Sequence, residues 1–342
     1  MMPTLVPHAC GGCAVVLALS MLFAQPTPKP YVAVIQKVSG TVGLYTEEGR
    51  SLAQIKVGNF PHEAVLSRDG RFLYVSDNGV LWMTEDAPGS NTISVIDTAV
   101  MKKVGSIDLG RFHRPHGIAF AGDHLLATTE RPFGLIMADT SKRTLVRDFD
   151  VKGKSPHMVI PAPDGKRVFV SNTDSDTVAV IDISTGETTL ISTPARPQGG
   201  VFSPDGRRLY VATTNGNQIA IIDPVTLQVT GTIPTGKGPG RIAITPDGKT
   251  LIYNLQFEPA IGFADVASGK QIASVPLTGR PLSLTLNREG TRAFTGIQEQ
   301  DQVVFISVRQ RAIERVLNLP KGSGPDPVIQ LDQSQKIQRS SK

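Results

Sequence analysis

A proline recurs along this chain at Pro61, Pro115, Pro156, Pro197, Pro239, Pro281 and Pro327, each following a Gly- or Arg-bearing connector and opening an alternating apolar run. The spacing of roughly 42 residues per unit is too short for a domain and is typical of stacked repeats. After five of these prolines a tight turn follows: Arg68-Asp69-Gly70, Pro163-Asp164-Gly165, Pro204-Asp205-Gly206, Pro246-Asp247-Gly248 and Arg288-Glu289-Gly290. The Gly of such turns supplies the positive φ that a hairpin needs. A third run ends in Asp97, Asp182 or Asp223, whose carboxylate suits the backbone N–H groups of the next turn.

Each unit therefore reads as four short strands, a to d, that cannot bury both faces of their sheet alone. Stacking around a ring removes the problem. The expected fold class is all-β, a seven-bladed β-propeller. The last unit supplies only a strand a, 327–331, while residues 31–34 and 41–45 read as strands b and c, so the two ends of the chain are expected to share one blade. With 33 Gly, 25 Pro and only 6% aromatic residues, composition agrees with a turn-rich β protein.

The second strand carries tetrapeptides such as Tyr74-Val75-Ser76-Asp77 and Phe169-Val170-Ser171-Asn172, and in these the chain resembles the YVTN-repeat β-propeller family over residues 31–331. The resemblance implies an exported seven-bladed propeller. Lactonases and the haem-carrying propeller of nitrite reductase are more distant relatives by fold, so the fold alone permits several chemistries.

Residues 1–24 hold no Asp, Glu, Lys or Arg, and the apolar run 14–24 ends in Ala24, a signal-peptide pattern. The run is too short to span a membrane. The expected organisation is a leader 1–24, a linker 25–30, the propeller 31–331 and a polar tail 332–342, with the mature protein periplasmic or extracellular and monomeric. Cys10 and Cys13 both fall in the leader. A net charge of +5 without a basic run gives no electrostatic footprint for nucleic acid.

If strand a runs from the top face to the bottom, the start of strand a and the b–c loops share the top. The residues after the repeat prolines are then His62, His116, His157, Gln198, Gly240, Leu282 and Val328. Three histidines at one repeat position in adjacent blades, flanked by Glu63, Arg114, Arg196 and Arg241, mark a candidate ligand site at the channel mouth. His62, His116 and His157 are also candidate ligands for a transition metal. The alternative is that these imidazoles only brace the neighbouring connectors. Blade 1 carries a long b–c loop, 78–91, with Trp82, and Glu130 lies in the corresponding loop of blade 2. Gly231–Gly238 lacks the Ser or Thr of a phosphate-binding loop, and His62-Glu63 lacks the second His of a zinc-protease motif. The leading expectation is a scaffold that binds a small molecule or a peptide at the channel mouth. A lactonase-like hydrolase and a metal- or haem-binding redox partner are the alternatives.

Overall fold

A computed structural model describes residues 28–331. The expected leader, its two cysteines and the polar tail lie outside the described residues. Within them the chain forms seven four-stranded antiparallel blades, two of which are joined by one parallel pairing, Thr144 with Asp108, at their outer strands. No helix among the described residues is long and apolar enough to cross a membrane.

Strand burial follows position in the blade. The second strands, such as Val32–Gln36 and Arg167–Asn172, are buried almost throughout, because a neighbouring blade covers each face. The outermost strands, such as Lys102–Asp108, are exposed over most of their length. The core is accordingly seven clusters, one between each pair of adjacent blades, for example Tyr74, Ile93, Ile118 and Leu125 between blades 1 and 2. Each fully buried side chain of this size contributes about 1.5–3 kcal/mol.

Turn chemistry accounts for the hairpins. Gly70, Gly165, Gly206, Gly248 and Gly290 all have φ between +68° and +72°. Asp182 Oδ1 accepts from the backbone N–H groups of Ser184 and Thr185 at 2.8 and 3.0 Å, and Asp97 and Asp223 cap their own turns in the same way. Blade 2 departs, turning at Gly122 with Ala121 paired to His124. In blade 6 the innermost strand shrinks to Thr285–Leu286 plus a bridge from Pro281 to Ile297.

The ends of the chain close the ring in blade 7, where the C-terminal strand pairs antiparallel with Val32–Gln36. Its register corrects the sequence reading. In five of the other six blades the repeat proline faces the last residue of strand b, as in Pro61 with Asp77 and Pro197 with Thr213, and in blade 2, whose strand b runs on to Arg131, Pro115 faces Thr129. In blade 7 the residue facing Gln36 is Pro325, and the strand is Pro325–Gln330. Pro325 and not Pro327 is the repeat proline, so the rim residue of this blade is Asp326 and not Val328.

Candidate functional site

Seven innermost strands begin at the top of the channel, and the rim position is occupied by Asp326, His62, His116, His157, Gln198, Gly240 and Leu282 in ring order. The three imidazoles come together: His62 and His116 have ring centroids 4.0 Å apart, and His116 and His157 4.3 Å. Close backbone packing causes this. A Cβ on Gly117, next to His116, would stand 2.2 Å from the carbonyl oxygen of His157, so only glycine lets these two strands approach.

Each imidazole has a polar partner. His116 Nδ1 lies 2.8 Å from Glu130 Oε1, leaving Nε2 buried without a hydrogen bond. His157 Nδ1 lies 3.4 Å from Arg241 Nη1. His62 Nε2 lies 3.1 Å from Lys37 Nζ, and its Nδ1 lies 3.1 Å from Asp326 Oδ2. Burial, reinforced by His116 and Lys37, pushes the His62 imidazole down to about 3, and burial likewise holds His157 well below its ordinary value. These two rings are therefore neutral at neutral pH.

One residue further down strand a, Arg241 of blade 5 crosses the channel to Glu63 of blade 1, a buried ion pair. Below the rim the channel is thus bridged by charge. Burial raises the Asp326 carboxyl, but His62, Lys37 and Arg241 outweigh it and hold the group ionised far into acid. Burial also opposes ionisation of Glu130, and the hydrogen bond to His116 together with the neighbouring His116, His62 and Arg114 outweighs it.

The Trp82 loop stands over this cluster. Its anchor is Arg114, 2% exposed, which donates to the carbonyl oxygens of Met83, Glu85 and Ala87 and lies 3.4 Å from Glu130 Oε2. Arg131 ties the same loop from outside through Asp86 at 2.8 Å. Trp82 receives Lys37 Nζ and the Arg280 guanidinium at 5.6 and 5.5 Å from its ring centroid. The partly open pocket beneath measures about 270 Å³ and is lined by residues 81–84, the rim side chains, Lys37, Arg196, Arg241 and Gln256. Gln198 and Gln256 bond each other at 3.1 Å, and Arg196 pairs with Asp174 at 3.1 Å.

Of the residues singled out by sequence, His62, His116, His157, Gln198, Arg196, Arg241 and Trp82 line this pocket, whereas Glu63, Glu130 and Arg114 stand behind it and fix residues that do. Lys37 and Asp326 were missed. Lys37 follows strand b of blade 7 and is equivalent to Asn78 and Gln256, which touch a neighbouring blade's innermost strand, and to Glu130, which touches the rim histidine of its own blade. That position, read as a repeat column, was the available signal.

For a metal, the ligand atoms of His62, Glu63 and His116 lie within 4.8 Å of one another. The histidine rings are tilted by 40° and 45° to one another. Lys37 and Arg241 already hold His62 and Glu63, so a cation would have to displace both.

The chain matches the family described as the cytochrome D1 heme domain over residues 20–255. No curated protein matches it. Among solved structures it is similar to a functionally unknown protein from Desulfotomaculum acetoxidans, with a TM-score of 0.73 and 15% identity, covering 88% of this chain and 99% of that one. Hydrazine synthase of Kuenenia stuttgartiensis follows at 0.62 and 20%, covering 72% and 76%. Dihydro-heme d1 dehydrogenase NirN, in complex with DHE, matches at 0.64 and 16%, covering 87% of this chain and 65% of that one. Such low identities show the shared propeller fold. The tetrapeptides pointed to YVTN-repeat propellers, but the family match goes elsewhere. Because it spans more than half of the sequence, from before the first strand to the second strand of blade 5, the chain belongs to the cytochrome d1 haem-domain family of β-propellers.

Proposed function

We propose that this chain is a binding propeller whose channel-mouth pocket takes a small anionic organic ligand beneath the Trp82 loop. One observation carries the reading. Arg196, Arg241 and Lys37 line the cavity, and among the described residues Asp326 is the one carboxylate-bearing residue that does so; Glu63 and Asp174, which pair with the arginines, do not line it. In a partly enclosed site these charges act through a lower dielectric than water, so an anion gains more there than at an open surface. The amides of Gln198 and Gln256 add neutral donors. The apolar run 14–24 supports export, and the tetrapeptides 74–77 and 169–172 support a YVTN-like ancestry within the propellers.

The family implies a haem. His116 offers suitable donor chemistry, an imidazole oriented by Glu130 with its second nitrogen free. The room does not agree. Pockets for drug-sized ligands measure about 300–1,000 Å³, and one for a tetrapyrrole belongs in the upper part of that range, well above the 270 Å³ here. His116 is also only 1% exposed, with the His62 and His157 rings on either side. A macrocycle does not fit beneath the loop as it stands, and no step is assigned to one. A lactonase-like hydrolysis, with His62 as base, would use this same pocket.

The test is thermal unfolding of the purified chain with acetate, pyruvate, succinate, phosphate, Co(II) and haemin in turn. A carboxylate at 100 times its Kd stabilises the protein by about 2.7 kcal/mol. That shift is expected to vanish in Arg196→Gln and weaken in Trp82→Ala. A stoichiometric haemin spectrum, or Co(II) absorption bands, without any response to carboxylates would refute the reading.

A further inference from the structure

Lys37 and Asp326 come from opposite ends of the chain and meet at His62. The amine is 3.1 Å from one ring nitrogen and the carboxylate 3.1 Å from the other, whereas amine and carboxylate are 3.6 Å apart. Amine, imidazole and carboxylate thus form one buried cluster in which the amine meets both of the others. An amine taken out of water, beside other cationic groups and with a base within hydrogen-bond reach, is the general arrangement of an activated lysine nucleophile.

The three side chains are 3%, 13% and 1% exposed, and all line the cavity below Trp82. A bracing role would look different. At the equivalent position of blades 3 and 4, Thr173 and Thr214 donate to the carbonyl oxygens of Pro197 and Pro239, tying one blade to the next. Lys37 instead directs its nitrogen at a rim imidazole inside the pocket.

We propose that Lys37 is a nucleophilic amine that captures the carbonyl carbon of a small anionic aldehyde or ketone as an imine, with His62 accepting its proton and Asp326 holding the amine at the rim. The idea rests on the pocket reading above and names its substrate class. Burial lowers the proton affinity of Lys37 against the pull of Asp326 and Glu63, which enlarges the neutral, reactive fraction. In the forward direction the Nζ lone pair attacks the carbonyl carbon and the C=O π pair moves to oxygen. Two protons pass in turn from Nζ to His62 Nε2 and on to that oxygen: the first gives the carbinolamine, and the second lets the oxygen leave as water while the C=N bond forms. No oxidant or reductant takes part, and water reverses the step. Arg196 and Arg241 would meet the anionic group.

The experiment is reductive trapping: the full chain is incubated with glyoxylate or with propanal, sodium borohydride converts any imine to a stable secondary amine, and peptide mass mapping locates it. The expected result is one adduct per chain, at Lys37, above every exposed lysine, and stronger with glyoxylate. Lys37→Met should lose the adduct, and His62→Gln should slow its formation by about 100-fold and alter its pH profile, the size expected of a lost general base. If Lys37→Met does not fold, the map of the unaltered chain decides by itself. Adducts confined to exposed lysines, with carboxylates still raising the unfolding temperature, would overturn the nucleophile and leave the pocket reading intact. Equal trapping of propanal and glyoxylate at Lys37 would uphold the nucleophile and overturn the preference for anions. Unchanged kinetics in His62→Gln would remove the relay.

Discussion

Replacing Arg114 by Met removes a guanidinium that does two things at once, so its consequences can be worked out from the contacts. The side chain is buried, lies 3.4 Å from Glu130 Oε2, and holds three carbonyl groups of the Trp82 loop. Breaking a buried pair from one side leaves the other charge stranded and costs about 3–5 kcal/mol. Here His116 still bonds Glu130 at 2.8 Å, which limits the loss, while the freed carbonyl groups regain water as the loop lifts. A net cost of about 3–4 kcal/mol is expected. Against a total stability of about 5–15 kcal/mol the variant should still fold. Urea unfolding followed by circular dichroism measures the cost. Trp82 is the only tryptophan, so its fluorescence reports the loop separately, and its quenching by iodide should increase. Adding Glu130→Gln removes the stranded charge, so the double variant should be more stable than the sum of the singles by about 1.5 kcal/mol or more. A loss under about 1 kcal/mol, strict additivity, or unaltered quenching would show that Arg114 anchors neither Glu130 nor the loop.

Other consequences concern the rim and the ring. His62 takes up its proton at about 3 in the fold, against about 6.5 unfolded. The unfolded chain therefore binds more protons across that window, so stability is full above pH 6.5 and falls by about 4 kcal/mol as the pH drops toward 3; urea midpoints against pH should show this slope, flattened in His62→Gln. Gly117→Ala forces a Cβ to within 2.2 Å of a backbone oxygen in the next blade, and should cost about 2–3 kcal/mol in denaturant unfolding. Truncation after residue 323 removes the strand paired with Val32–Gln36, leaving blade 7 with three strands; the product should lose a single cooperative transition, and normal unfolding would contradict closure by this strand.

How much was legible follows from what a repeat can encode. Equal positions in the units become equal positions around a ring, so the blade count, the turn glycines, the capping aspartates and the shared rim of His62, His116 and His157 could all be read from spacing. Contacts between blades could not. Arg114 looks like a flank of His116 in sequence, yet its backbone, at φ +54°, sends it beneath the loop of the preceding blade. The cross-channel pair of Arg241 with Glu63 joins blades three apart, and nothing in the period specifies which residues meet over that span.

The closing blade shows the limit most clearly, because Gly324-Pro325-Asp326-Pro327 offers two prolines at strand spacing. A shift of two residues keeps every side chain on its own face, so apolar patterning accepts either register and Val328 is buried in both. Only the pairing with Gln36 decides. The choice changes the chemistry: with Asp326 at the rim, the polar arc runs over five consecutive blades, from blade 7 to Gln198 of blade 4. Gly240 and Leu282 then form a small, apolar side opposite it. A ligand entering under Trp82 meets ionisable groups along one wall and space along the other, with Arg241 reaching inward from the residue after Gly240. A ring of identical blades would hold seven equal contacts and no orientation. The departure of blades 5 and 6 from the polar rim is what turns the channel mouth into a one-sided site.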